Sequence, residues 1–202
     1  MTHDFDKLLE VIDDDRITRL WYFHGQLHRF DGPAVIKANG DKYWYLYGQL
    51  HRFDGPAVEY YFGHKYWYLR GKLHREDGPA IEYGKTKQWW VDGVLHRLDG
   101  PAIELWNLKK EWWVNGKLHR LDGPAVEYPN GRKELFLYGK RHREDGPAVY
   151  HPDGYEVWYS HDVLHREDGP AITFCDGEER WYLNGIEQSA FGIPCSWLKE
   201  GF

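Results

Sequence analysis

The stretch His51-Arg52-Phe53-Asp54-Gly55-Pro56-Ala57 decides how this chain folds, because it is one of seven copies of His-Arg-x-Asp-Gly-Pro-Ala. The other copies begin at His28, His74, His96, His119, His142 and His165, so the steps are 23, 23, 22, 23, 23 and 23 residues. A near-constant period of this length marks one supersecondary unit that is copied and stacked. A polar residue present in every copy is then first a device for joining copies and only second a candidate for chemistry.

Outward from the motif, each copy reads as two short strands. The first follows the proline, as in Ala57-Val58-Glu59-Tyr60, Ala80-Ile81-Glu82-Tyr83 and Ala125-Val126-Glu127-Tyr128. A turn follows, carried by Asn39-Gly40, Gly63, Gly84, Asn130-Gly131, Asp153-Gly154 or Asp176-Gly177. Asn-Gly and Asp-Gly fit a tight hairpin turn that needs positive φ. The second strand is aromatic: Tyr43-Trp44-Tyr45-Leu46, Trp89-Trp90-Val91, Trp112-Trp113-Val114 and Trp181-Tyr182-Leu183. In the one short copy Trp89 keeps its distance from the closing glycine, which puts the missing residue in the turn at Gly84-Lys85. A deletion inside a strand would reverse the facing of every later side chain.

Alternation divides the aromatic strand between two faces. Trp21, Trp44, Trp67, Trp89, Trp112, Leu135, Trp158 and Trp181 form one column, expected to be buried. Tyr22, Tyr45, Tyr68, Trp90, Trp113, Phe136, Tyr159 and Tyr182 form the other, expected on the opposite face as an exposed partner-binding strip. Two strands per copy at about 4.8 Å advance the stack by about 9–10 Å. The predicted fold is all-β: an elongated single-layer meander of seven to eight stacked hairpins over 16–185, with short caps at 1–15 and 186–202. Phe5, Leu8, Leu9 and Ile12 have helical spacing, and both caps are expected to be helical. The segment from Gly185 to Phe202 is expected to cover the far end or to mediate self-association.

The repeated polar residues are His28, Arg29, Asp31; His51, Arg52, Asp54; His74, Arg75, Asp77; His96, Arg97, Asp99; His119, Arg120, Asp122; His142, Arg143, Asp145; and His165, Arg166, Asp168. They invite a metal or catalytic reading. Equivalent histidines about 9–10 Å apart, however, cannot converge on an ion whose ligands lie about 2.0–2.2 Å away. The expectation is a structural ladder with no metal, cofactor or catalytic residue. Arginine bridges to an aspartate of its own or the next copy, aspartate caps the turn, and glycine supplies positive φ. Histidine wedges between rungs, with one nitrogen bonded to a backbone carbonyl. An enzyme reading would instead need the divergent sixth copy, with Arg141, Tyr150, His151, Ser160, His161 and Asp162, to gather its polar groups in a pocket.

Composition narrows the function. Aromatic residues make up 17% of the chain, more than a small core requires, and favour a binding surface. The net charge of −6 gives no general attraction to nucleic acid or anionic lipid, although Lys65, Lys87, Lys109, Lys110 and Arg132 beside the aromatic column would allow a stacking platform for single strands or nucleotides. Only Cys175 and Cys195 are present, which fits a reducing cytoplasm better than a disulfide framework. No signal peptide or membrane-length apolar run is visible.

Trp181-Tyr182-Leu183-Asn184-Gly185, Gly116-Lys117-Leu118-His119, Asp122-Gly123 and Tyr128-Pro129-Asn130-Gly131 together resemble the MORN repeat and its variant in YwqK-type antitoxin proteins. The resemblance covers nearly the whole array, which differs in carrying Arg-x-Asp-Gly-Pro-Ala where that family has His-Gly-x-Gly. It implies a sheet of consecutive hairpins serving as a scaffold, a protein-docking surface or a dimerisation element. An inhibitor or antitoxin-like role, in a bacterial or phage setting, is what it implies for function.

Overall fold

The computed structural model describes residues 7–13 and 16–189, with side chains from residue 18 onward. They fall into two compact units, one built from residues up to 97 with 102–106, the other from 98–101 with residues from 107 onward. No helix occurs among the described residues.

In the first unit antiparallel pairing runs through Lys7–Asp13, Arg16–Phe23, Val35–Ile36, Lys42–Tyr43, Val58–Glu59, Lys65–Tyr66, Ile81–Tyr83, Thr86–Gln88 and Ile103–Glu104 in chain order. In the second it runs through Lys110–Glu111, Val126–Glu127, Lys133–Glu134, Val149–Tyr150, Glu156–Val157, Ile172–Thr173, Glu179–Leu183 and Ile186–Gln188. Each unit is a single-layer meander of consecutive hairpins, as the repeat predicted.

The first cap corrects the helical expectation. Lys7–Asp13 is a strand, in register from Lys7 opposite Tyr22 to Asp13 opposite Arg16. β-branched Val11 and Ile12 favour a strand, and a helix this short is marginal on its own. Pairing also covers an open edge of Arg16–Phe23. Phe5 lies outside the described residues. In the second cap Ile186–Gln188 pairs with Glu179–Leu183, while Cys195 and the apolar residues from Phe191 to Phe202 lie outside the described residues.

Two kinds of turn alternate, and their demands differ from those expected. At Asn39-Gly40 the Gly40 N–H bonds to the Lys37 carbonyl at 2.9 Å and the Lys37 N–H to the Asp41 carbonyl at 2.9 Å. This is a three-residue loop in which Gly40 alone has positive φ, at 94°. The short copy pairs Tyr83 directly with Thr86, so Gly84-Lys85 is a two-residue loop and the register survives the deletion. Positive φ at both central positions occurs at the other end of the copy, in Tyr47-Gly48, Arg70-Gly71, Asp92-Gly93, Tyr138-Gly139 and Asn184-Gly185. These turns join Tyr45–Leu46 to Gln49–Leu50 and its equivalents.

The aromatic segment is therefore two short strands that meet at tryptophan. Lys42–Tyr43 pairs within the main sheet, and Tyr45–Leu46 forms a separate small hairpin. Trp44 between them donates its N–H to the Ala57 carbonyl at 2.8 Å and accepts from the His51 N–H at 3.0 Å. The seven motif alanines are all 0% exposed. Any larger side chain there would separate the strands.

Burial is shared between the faces. Register sets Tyr43 opposite Val35 and Val58, so the valines lie on the face of the tyrosine column. They supply much of the small apolar core, and Phe136, 8% exposed, packs with Val126 and Ala125. The other face carries an alternating row in the first unit: Lys42, Glu59, Lys65, Glu82, Lys87 and Glu104 stand opposite one another in succession. Opposite charges across strands support the pairing by a few tenths to about 1 kcal/mol each.

A candidate docking edge

Each His-Arg-x-Asp-Gly-Pro loop is held by its arginine. The guanidinium lies 3.9–4.2 Å above the rings of Trp21, Trp44, Trp67, Trp89, Trp112 and Trp158. Its Nε donates to the aspartate two residues on, at 2.8–2.9 Å in six copies, so the bridge stays within the copy. That bond, with the positive charge, holds Asp31, Asp54, Asp77, Asp122, Asp145 and Asp168 below the usual carboxylate range. A terminal nitrogen reaches back to the glutamate of the next strand in four copies, as between Arg52 and Glu59 at 2.9 Å.

This packing explains the motif glycine. Gly32, Gly55, Gly78, Gly123, Gly146 and Gly169 are not among the residues with positive φ, contrary to the expected role. A Cβ at Gly78 would lie 2.9 Å from the Arg75 guanidinium carbon, and one at Gly146 would lie 2.7 Å from that of Arg143. Glycine is there to let the guanidinium lie against the loop.

The histidines join copies through the opposite polarity from that expected. His51 Nδ1 accepts the backbone N–H of Arg70 at 3.0 Å, and His28, His119 and His165 accept from Tyr47, Tyr138 and Asn184 at 3.0–3.2 Å, while His74 Nδ1 lies 3.1 Å from the N–H and 3.2 Å from the carboxylate of Asp92. Each donor is the first residue of the positive-φ turn one copy later. A ring nitrogen that accepts must be unprotonated, which places the proton of a neutral ring on Nε2. Burial first, and the Arg70 charge second, push His51 below the ordinary histidine value.

A second set of latches lies at the opposite edge. Asp41 accepts from the Tyr61 N–H at 3.0 Å, His64 from Gly84 at 3.2 Å and Thr86 from Trp106 at 3.3 Å. The position is equivalent in each copy but the residue type changes, so no motif announces it.

The aromatic column is half-buried rather than a free strip, with Phe136 buried outright. Burial pushes the phenols of Tyr45, Tyr68 and Tyr159 up, which agrees with that placement. Large apolar side chains are instead exposed at the variable x of the motif, Phe30 73%, Phe53 82%, Leu98 79% and Leu121 82%, and in one turn of the other edge, Trp106 73% and Leu108 74%. Glu76, Glu144 and Glu167 fill the remaining copies. A large apolar side chain recurring in an otherwise polar loop was the sequence signal for this site.

Successive loops enclose clefts. In the first unit one cleft of about 740 Å³ lies between the loops at Phe30 and Phe53, above Trp44 and Leu46. The next, about 670 Å³, lies between Phe53 and Glu76 above Trp67 and Leu69. In the second unit the cleft between Glu144 and Glu167 measures about 500 Å³.

The sixth copy is the most divergent. Leu135 stands where most copies have tryptophan and Tyr150 where several have glutamate, leaving Arg143 bonded to Asp145. Glu134, 3% exposed, gathers Tyr128, Arg132 and Arg141. His142 stacks on His161 at 4.0 Å, while Ser160 Oγ lies 3.4 Å from His161 Nδ1. Asp162 instead accepts from the Arg141 N–H at 2.9 Å. No group of three or more His, Cys, Asp or Glu among the described residues could hold a metal, and there is no helix among them long and apolar enough to cross a membrane. No protein-family model matches the chain, and no curated protein matches it.

Proposed function

We propose that this chain is a non-enzymatic, cytoplasmic repeat scaffold that docks a protein partner along its His-Arg-x-Asp-Gly-Pro edge. The observation that carries this reading is the exposure of Phe30, Phe53, Leu98 and Leu121 at loop positions where the backbone makes no demand for an apolar side chain. Exposed apolar residues on the motif loops of each unit favour association, and aromatic residues dominate the energetics of protein interfaces. The Lys–Glu alternation across the sheet and the net charge of −6 favour a protein over nucleic acid. Within this class, a MORN-like scaffold with an inhibitor or antitoxin-like role rests on the resemblance of the hairpin motif alone.

The test is cross-linked capture of a partner from native lysate by the intact chain, repeated with Phe30, Phe53 and Leu121 changed together to serine. Lost capture with an unchanged melting curve supports the edge. Undiminished capture moves the interface to the tyrosine column or the terminal segments. Capture that survives both edge and column variants would leave the scaffold reading without a surface.

A further inference from the structure

We infer that the loop edge of the first unit reads a peptide in polyproline-II conformation at three residues per copy, seating an apolar side chain between Phe30 and Phe53 and a lysine or arginine between Phe53 and Glu76. The inference rests on the docking reading and names the chemistry of its partner.

The two clefts share one wall, Arg52-Phe53-Asp54, and have matching floors of tryptophan and leucine. What differs is the lip. The first cleft has a phenyl ring on each side, and its rim charges balance, with Arg29 on Asp31 and Arg52 on Asp54. Such a site prefers an aromatic or branched aliphatic side chain.

In the second cleft Arg52 and Arg75 are again balanced by Asp54 and Asp77, and Glu76 adds a carboxylate. That side chain is 85% exposed, with His74 Nε2 3.8 Å from its Oε1. A lysine or arginine can lay its stem along Trp67 and Phe53 and bring its charge to Glu76. A nucleic-acid strand fits worse, since its phosphates would meet the rim carboxylates.

Spacing follows from the sheet. Neighbouring copies are two strands apart, about 9–10 Å, and a polyproline-II chain rises about 3.1 Å per residue with three residues per turn, so side chains three apart share one face. Side chains three apart therefore reach successive clefts, giving Phe-x-x-Lys or Lys-x-x-Phe according to chain direction.

Isothermal titration of the full chain with nine-residue peptides tests this, using serine and glycine as spacers. The peptides are Phe-x-x-Lys, Lys-x-x-Phe, Phe-x-Lys, Phe-x-x-x-Lys and Phe-x-x-Glu, with a twelve-residue oligothymidylate alongside. One three-residue spacing should bind at least tenfold more tightly than the two- and four-residue spacings and the glutamate peptide. Phe30→Ser with Phe53→Ser should weaken it about tenfold, and Glu76→Gln should remove the preference for lysine over glutamate while leaving the phenylalanine requirement. Tyr61→Ser, on the opposite edge, should change nothing. Equal affinity for all spacings, or binding that survives the double phenylalanine variant, would overturn the inference. If no peptide binds while Phe30, Phe53 and Leu121 remain necessary for lysate capture, the peptide reading fails and the docking edge stands. If the oligothymidylate binds best and capture is absent, the docking reading fails as well.

Discussion

Removing one histidine latch, by His51→Ala, tests how the copies are held together. The change leaves the Arg70 N–H without its acceptor, in a turn already held at φ 50°. An orphaned backbone donor costs about 1–3 kcal/mol. The lost imidazole is 9% exposed and packs edge-on to Phe53 at 4.4 Å, worth about 1–2 kcal/mol more. About 3 kcal/mol is therefore expected, or roughly 6–12 °C of melting temperature at about 2–4 °C per kcal/mol for a chain of this size. His51→Gln, which can offer a carbonyl oxygen, should recover part of it. The pH dependence makes the test sharper. Because the folded value of His51 is depressed, the unfolded chain takes up this proton first on acidification. The stability it contributes is complete above about pH 6.5 and is lost as the pH falls through the depressed folded value, by up to about 1.4 kcal/mol per unit. The gap between wild type and His51→Ala, followed by tryptophan fluorescence in urea, should narrow from pH 7.5 to pH 5. A gap that stays constant or widens would refute the acceptor role.

Three further outcomes follow from the same geometry. Leu108 holds φ 71° where the other three-residue loops have glycine, and it is 74% exposed, so Leu108→Gly should stabilise the chain by about 0.5–1 kcal/mol in thermal melts. Gly78→Ala forces the Arg75 guanidinium off Trp67 and should cost about 1–2 kcal/mol in urea unfolding, whereas a neutral effect would mean the arginine can shift without loss. Phe53→Ser should cost no more than about 1 kcal/mol, since the side chain is 82% exposed and gives up chiefly its edge-on contact with the His51 ring at 4.4 Å. A large loss there would make Phe53 structural and remove it from the docking edge.

How much was legible beforehand depended on whether a property is local. Period, strand content, turn positions and the place of the 22-residue copy's deletion followed from the string, because repetition and side-chain alternation are one-dimensional. The first cap did not, because the Phe5 to Ile12 spacing fits a short helix as well as a strand, and the pairing partner at Arg16–Phe23 decided between them. The aromatic strand looked continuous because nothing in Tyr43-Trp44-Tyr45-Leu46 marks where pairing passes from the main sheet to the small hairpin.

The string by itself determined that hairpins are copied side by side and that His, Arg and Asp serve each copy alike. Tertiary structure alone decided what those groups do: which nitrogen of His51 faces a donor, why Gly55 has no side chain, and which of Tyr45 and Phe53 meets solvent. The reason is physical. The polarity of the His51 bond belongs to residues brought together nineteen positions apart, and the crowding at Gly55 comes from how Arg52 folds back over Trp44, neither of which a copy read as a string displays.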